Sequence, residues 1–323
     1  MSSSLSLSES QSLFARMLDG EMAENEIRDV LVELADRGET AQEIAGAATA
    51  MRDRMVRVSG PANAIDVCGT GGDGQHSLNI STATSIVVAA CDVPVAKHGN
   101  RAASSKAGAA DTLEALGLDL GKAGAVSEKT LNDLGITFLF AQAHHPAMKY
   151  VMPIRKALGR RTIFNLLGPL ANPAGITRQF VGIASPDLVE TYRDAMRLLG
   201  MKRAMIVSGL EGLDEISIAG PTKISTIGMD GFGDQVVPED AGLTRHPLEA
   251  IRGGDANYNA AALKRLLEGE KSAYRDAVLL NSVGALMVAG EARSWEEGAE
   301  EAGEAIDKGL AKSMLDCWIA ATQ

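Results

Sequence analysis

A run of glycines is the first part of this chain whose residue types could bind a ligand. Gly69-Thr-Gly-Gly-Asp-Gly74 follows a short apolar stretch, and Asn79-Ile-Ser-Thr82 then opens a helical pattern. Glycines let the backbone turn sharply, and N–H groups exposed where a strand turns into a helix bind phosphate oxygens. A tight turn with a helix cap is the simpler alternative. The glycine density, with polar groups at Ser77, Asn79, Ser81 and Thr82, favours an anion site.

The same run satisfies the pattern GxGxxG, which is a weak signal for a dinucleotide site when it stands alone. A dinucleotide fold needs an acidic residue at the end of its second strand. Here the strand candidate Val93 to Ala96 is followed by Lys97, which suits a phosphate better than a ribose. The pattern GxxxxGK[ST] is absent, which argues against a nucleoside triphosphatase.

The second polar cluster is Lys97-His98-Gly99-Asn100-Arg101, followed by Ser104 and Ser105. A solvated basic loop is the plain alternative. Ligands of parallel α/β sheets bind at the carboxyl ends of the strands. The cluster is therefore predicted to share a site with the glycine turn.

Two carboxylates, Asp214 and Glu215, follow a third strand candidate, Ala204 to Ser208. Adjacent acids are common on solvated loops, but carboxylates at a strand end also hold Mg²⁺. Because a phosphate site is predicted at the same sheet edge, the interpretation of these two carboxylates as a Mg²⁺ site is favoured over a solvated loop. Arg155 could hold a substrate carboxylate, although its residue type alone favours a surface arginine. His144 and His145 lack further ligands at metal spacing and are interpreted as loop histidines.

The spacing of apolar residues and the capping residues predict the helices and strands that must position these groups. Ser8 is predicted to cap a first helix that stops at Gly20, and a second helix ends at Gly38. Thr40 and Glu43 form a capping box for a third helix, which carries residues up to Met55.

Beyond Gly60-Pro61, short apolar runs alternate with helical stretches, which is typical of parallel strands with crossover helices. Residues 155–175 are predicted to form a loop that crosses between two bodies, and helices return from Tyr258 onward. The predicted fold class is α/β: a small N-terminal helical domain over residues 1–63, joined near residues 155–180, and a larger α/β domain over 64–323 with a mainly parallel central sheet. The strand candidates are Ala64–Cys68, Val93–Ala96, Ile136–Phe140, Phe180–Ala184 and Ala204–Ser208.

Composition narrows the function classes. The chain has 323 residues, a net charge of −11 and no long basic run, which disfavours nucleic acid as a partner. Its serine-rich start does not resemble a signal peptide, and no apolar stretch is long enough to span a bilayer. Three scattered cysteines fit a reducing compartment. We expect a cytoplasmic enzyme without a membrane partner.

Taken together, the motifs resemble the anthranilate phosphoribosyltransferase family. The matching stretches occur in the family order: GTGGDG (69–74), NIST (79–82), KHGNRAASS (97–105), HPAMK (145–149), RTIFNLLGPLANP (161–173) and GLDE (212–215). The resemblance implies a homodimer that uses Mg²⁺, 5-phosphoribosyl 1-diphosphate (PRPP) and anthranilate.

The resemblance also implies roles for individual residues. Lys97, Asn100 and Arg155 would be catalytic; anthranilate would contact Gly69, Asn100 and Arg155; and Ser81, Asp214 and Glu215 would hold the metal. The donor would contact Gly69, Gly72, Asp73, Ser77, Asn79, Ile80, Ser81, Thr82, Lys97, His98, Gly99, Asn100, Arg101, Ala102, Ala103, Ser104, Ser105 and Ala109.

Two departures from the family pattern stand out. Ala107-Gly108-Ala109 replaces a usual Ser-Gly-Ser, so a hydroxyl contact to the donor is missing, and His76-Ser77 replaces Asn-Thr with the hydroxyl kept at Ser77. Two rival functions stay open: a pyrimidine nucleoside phosphorylase of the same fold, and a non-catalytic ligand-binding relative.

Overall fold

The computed structural model of the chain describes residues 4–102 and 106–323. Helices α1 to α15 span Leu7–Leu18, Glu24–Arg37, Ala41–Arg52, Ile80–Ala89, Ala109–Leu116, Leu120–Ala123, Ser127–Asp133, Ala141–His144, Met152–Leu158, Phe164–Leu167, Val189–Leu198, Ala256–Leu267, Ala273–Ala289, Trp295–Asp307 and Leu310–Ala321. Strands β1 to β7 span Ile65–Gly69, Val95–Gly99, Ile136–Phe140, Arg178–Gly182, Arg203–Gly209, Thr222–Ile227 and Gln235–Val236. Turns of 3₁₀ helix cover Pro146–Tyr150, Pro169–Ala171, Pro186–Leu188, Pro238–Ala241 and Leu248–Ile251.

The three N-terminal helices form as predicted, with shifted ends. Ser6, not Ser8, caps α1, because Glu9 lies three residues beyond Ser6 and completes a reciprocal capping box with it. Gly38 ends α2 and Thr40 caps α3 through Glu43, as the sequence predicts. The third helix ends at Arg52, so Met55 lies outside it.

The central sheet has the strand order β3-β2-β1-β4-β5-β6-β7. Strands β1 to β5 are parallel, which confirms the mainly parallel sheet. Strands β6 and β7 add an antiparallel edge that the sequence patterns did not predict. Strand β2 begins two residues later than predicted and runs to Gly99, so Lys97 and His98 lie inside the strand and not in a loop after it.

The sheet separates two hydrophobic clusters. Alternate strand residues face opposite sides: Phe180 packs in the cluster that contains α4 and α13, and Val181 packs in the cluster that contains α1 to α3. The helical body therefore rests on one face of the sheet.

The segment predicted as a crossing loop is mostly helical. Over residues 152–171 it forms α9, α10 and a 3₁₀ turn, and its apolar residues Leu166, Leu167 and Leu170 are buried with the N-terminal helices. A buried loop would leave backbone polar groups without partners, and helical turns satisfy them. None of the helices in residues 4–102 and 106–323 is both long and apolar enough to cross a membrane.

Candidate active site

The polar groups singled out in the sequence meet at the carboxyl edge of the sheet. Gly69 ends β1 and continues into the glycine turn, while Asp214 follows β5. The Gly71 N–H donates to Asp214 Oδ2 at 2.7 Å. A Cβ atom added to Gly69 would lie 2.3 Å from the same oxygen, so only glycine permits this approach.

The turn itself presents backbone to solvent. Gly71, Gly72 and Gly74 have φ values of 68°, 75° and 72°, a region that favours glycine. Gly71 and Gly72 are exposed. Asp73 accepts a hydrogen bond from the Gln75 N–H at 3.1 Å, and its second oxygen is buried without a partner. The turn therefore offers backbone amides beside an under-satisfied carboxylate.

The two carboxylates after β5 lie in a polar pocket that suits a cation. Burial, and secondarily the charge of Asp73, raises the pKa of Asp214 to about 7. Burial also raises the pKa of Glu215 well above its usual range, with Asp214 contributing repulsion. Glu215 Oε1 accepts from the Ser81 N–H at 3.1 Å, and Glu215 Oε2 is buried with no partner.

These donors fit Mg²⁺ better than a metal that needs a complete protein cage. Within the described ranges, no three His, Cys, Asp or Glu side chains converge on one point. Mg²⁺ commonly binds through one or two carboxylates, waters and substrate phosphates. The orphaned oxygen of Glu215 is the observation that favours a cation here.

Lys97 is buried in strand β2 next to Ser81 and is not exposed to solvent. Its side chain is buried, and Nζ donates to the Val67 carbonyl at 2.7 Å and to Ser81 Oγ at 3.2 Å. Burial lowers the pKa of Lys97, and the charges of Asp66 and Glu215 oppose that change. The ammonium therefore positions Ser81 and balances buried carboxylates, and its contact with a phosphate stays a prediction.

Arg101 and Asn100, from the same polar cluster as Lys97, also form hydrogen bonds within the protein. Arg101 pairs with Asp111 and Glu114 at the start of α5, so its charge is already balanced. Asn100 is exposed, and its Oδ1 accepts from the Arg101 N–H at 2.8 Å. The predicted contacts Ala103, Ser104 and Ser105 lie outside the described residues, while Ala102 precedes that segment and Ala109 begins α5.

Asn79 is oriented inward. Its Oδ1 accepts from Thr112 Oγ1 at 2.6 Å and from Asn259 Nδ2 at 2.8 Å. Ile80 and Thr82 are buried in the first turn of α4. These residues tie the turn to α5 and α12, and their donor contacts stay predictions.

Arg155 is linked to the glycine turn through Asn165. Its guanidinium reaches Asn165 Oδ1 at 3.5 Å and lies 5.4 Å from the centre of the Phe164 ring. Asn165 Nδ2 would lie 4.0 Å from a Cβ atom on Gly72. No carboxylate in the described part of the chain pairs with Arg155, and burial lowers its pKa. This cation is half-buried and has no carboxylate partner in the described residues, and its pairing with an anionic ligand stays a prediction.

Comparison with known proteins shows the family of the chain. Residues 61–312 match the family described as glycosyl transferase family, a/b domain, and residues 2–55 match its helical bundle domain. The chain is 62% identical to anthranilate phosphoribosyltransferase of Novosphingobium aromaticivorans over 98% of this chain and 96% of that protein. The chain belongs to the anthranilate phosphoribosyltransferase family.

Two solved structures of the family share the fold. Anthranilate phosphoribosyltransferase from Thermus thermophilus is 41% identical, with a TM-score of 0.94 over 99% of this chain and 96% of that one. The Saccharomyces cerevisiae enzyme in complex with PRPP and Mg is 29% identical, with a TM-score of 0.90 over 98% and 93%. The resemblance identified from the motifs is thereby confirmed.

Sequence reasoning missed one segment that lies beside the glycine turn. Residues 251–253 run antiparallel to residues 76–78, with hydrogen bonds from the Leu78 N–H to the Ile251 carbonyl and from the Gly253 N–H to the His76 carbonyl. The pairing joins positions about 175 residues apart. The only sequence signal near it was Gly253-Gly254, which is too common to locate a contact.

It also missed that two histidines near the family site are buried and neutral. His98 Nδ1 lies 2.9 Å from the Gly168 carbonyl, and its ring centre is 5.2 Å from that of His145. Burial, with repulsion between the rings, lowers the pKa of His98 to about 3, and burial lowers that of His145 to about 4. Both would take up a proton on unfolding at weakly acidic pH.

We therefore expect His145→Asn to reduce the loss of stability on acidification. Below about pH 6.5 the unfolded imidazole binds a proton that the folded one does not, so each neutral histidine lowers stability by about 1.4 kcal/mol per pH unit as pH falls toward its folded pKa. Asp214 and Glu215 have raised pKa values and contribute with the opposite sign. The measurement is therefore the difference between wild-type and variant unfolding free energies, by denaturant titration at pH 7.5 and pH 5.

His76→Asn is the control because His76 is exposed. It removes an exposed imidazole outside the His98–His145 pair and is measured at the same two pH values. Equal pH dependence of His145→Asn and the wild type would contradict the assignment of a neutral buried His145.

Proposed function

We propose that the chain transfers the phosphoribosyl group of PRPP to the amine of anthranilate, in tryptophan biosynthesis. The products are N-(5-phosphoribosyl)anthranilate and pyrophosphate. The observation that carries this proposal is the meeting of the glycine turn, the Asp214-Glu215 pair and the unpaired Arg155 at one sheet edge. Identity to curated members of the family over nearly the whole chain supports it.

The reaction is a displacement at C1 of the ribose. The amine nitrogen forms a bond to C1 as the bond from C1 to the diphosphate oxygen breaks, and the amine then loses a proton. An aromatic amine is neutral near pH 7, so no strong base is needed. The protein must stabilise the departing pyrophosphate and tolerate a positively charged ribosyl centre. Fixed backbone N–H groups stabilise the pyrophosphate without reorganisation.

The exposed Gly72 N–H is the group that would donate to a phosphate oxygen, because the Gly71 N–H already donates to Asp214 Oδ2. Asp214, Glu215 and Ser81 would hold Mg²⁺, and Lys97 keeps the Ser81 hydroxyl in place from below. When bound, Mg²⁺ offsets the negative charge that develops on pyrophosphate.

The acceptor would lie between the turn and α9. Arg155 would pair with its carboxylate, and Asn100 and Gly69 would line the other side. Holding the amine against C1 lowers the barrier by removing rotational and translational freedom in advance. The homodimer and the cytoplasmic location stay predictions from the family resemblance.

The first test is anthranilate fluorescence on mixing with PRPP and Mg²⁺. We expect the signal to fall at a rate proportional to enzyme and to stop with EDTA. Phosphorolysis of thymidine or uridine would support a nucleoside phosphorylase instead. Donor binding by calorimetry without product would support a non-catalytic relative.

A further inference from the structure

The donor site holds less free positive charge than its sequence suggests. The ligand proposed above carries a phosphate and a diphosphate, and anionic groups of this kind are commonly held by cationic side chains. Lys97 is buried and donates to Val67 and Ser81, and Arg101 is paired with two carboxylates. The two cations of the KHGNR motif thus already donate to groups of the protein.

A third cation lies beside the turn from a distant part of the chain. Arg252 is exposed and forms an isolated antiparallel bridge with Ser77. The flanking hydrogen bonds, Leu78 to Ile251 and Gly253 to His76, lie on either side of this pair and not between its members. Ser77 and Arg252 are therefore a non-hydrogen-bonded pair, whose side chains lie close together on the same face.

The backbone around Arg252 fixes this placement. A Cβ atom on Gly253 would lie 2.7 Å from the Ser77 carbonyl, so the two segments touch. The Gly254 N–H donates to Asn259 Oδ1 at 2.8 Å, and Asn259 in turn donates to Asn79 at the start of α4. The segment is thus anchored to the same helix that carries Ser81.

The guanidinium of Arg252 has no acidic partner. In the described part of the chain, no carboxylate lies within ion-pair distance of it, although Arg245 on the same stretch is paired with Glu239. An arginine offers a planar fork of donors that matches phosphate oxygens. Unpaired charge beside Ser77 is therefore available to a ligand.

We propose that Arg252 binds a phosphate group of the donor, next to the Ser77 hydroxyl. The inference rests on the proposed function, since it needs PRPP as the ligand. Arg252 would then be a donor-binding cation that the sequence motifs did not reveal. It lies in residues 251–253, which belong to none of those motifs.

The test is calorimetric binding of PRPP with Mg²⁺ and without anthranilate, followed by steady-state kinetics. Arg252→Ala should weaken PRPP binding and raise its KM by about tenfold or more, the usual effect of losing a hydrogen bond to a charged group. The KM for anthranilate should stay within about twofold, because Arg155 is intact. Arg252→Lys should recover part of the affinity, since it keeps the charge but loses the fork.

Arg245→Ala is the matched control, because it removes the same charge from the same stretch of chain. Wild-type affinity in Arg245→Ala with weakened binding in Arg252→Ala would support the contact. Equal affinities in all three proteins, or equal losses in both variants, would overturn it. Thermal unfolding of each variant distinguishes a lost contact from a misfolded protein, and a wild-type protein with no turnover would reject the proposed function itself.

Discussion

Replacing Glu215 by glutamine is expected to abolish most activity at limiting Mg²⁺. The change removes a negative charge and one metal-competent oxygen while keeping an acceptor for the Ser81 N–H, which now meets Glu215 Oε1 at 3.1 Å. Loss of a charged ligand should raise the Mg²⁺ concentration for half-maximal rate by about 10- to 100-fold or more. Fluorescence rates over a Mg²⁺ titration, at saturating PRPP and anthranilate, measure this directly.

The charge change needs its own control. Glu296 is exposed in the first turn of α14, and Glu296→Gln removes one carboxylate far from the sheet edge. It should leave the Mg²⁺ dependence unchanged. If Glu215→Gln also follows the wild-type Mg²⁺ curve, the buried oxygen of Glu215 does not serve a cation, and the metal must lie elsewhere.

Local patterns predicted most of the elements that frame this site. The strand Ile136–Phe140 was located to the residue, and the Thr40–Glu43 capping box was correct, because both depend on neighbours within a few positions. The glycine turn was recognised for the same reason. Helix and strand ends shifted by up to three residues, and at the start of α1 the reason is the competing cap Ser6.

The hydrogen bonds and pairings of the site's side chains could not be predicted, because their partners lie far away in the sequence. Lys97 donates to Val67, 30 residues earlier, and so becomes a buried support where a loop cation was expected. Arg155 was a candidate only through the family resemblance, and its link to Gly72 depends on Asn165, ten residues later. The pairing of Arg252 with Ser77 joins segments about 175 residues apart, and Asn259 of α12 supports it through Asn79.

The second large effect is expected from Arg155→Ala. The guanidinium is half-buried and lacks a carboxylate in the described ranges of the chain, so its removal costs little pairing energy within the protein. We expect the KM for anthranilate to rise by about 10- to 100-fold, the range for a lost charge-assisted hydrogen bond. The KM for PRPP should change little. Initial fluorescence rates with each substrate varied in turn separate the two constants.

The control for the loss of charge is Arg160→Ala, five residues further on, where the guanidinium pairs with Asp36 on the surface. An exposed pair of this kind contributes little, so this variant should behave as the wild type. The acceptor offers a sharper criterion, since aniline lacks the carboxylate that Arg155 would bind. Any turnover of aniline, followed by pyrophosphate release, should be equally slow with and without Arg155. A loss with aniline as large as the loss with anthranilate would mean that Arg155 acts on the donor or the fold, and that the acceptor carboxylate is bound by another group.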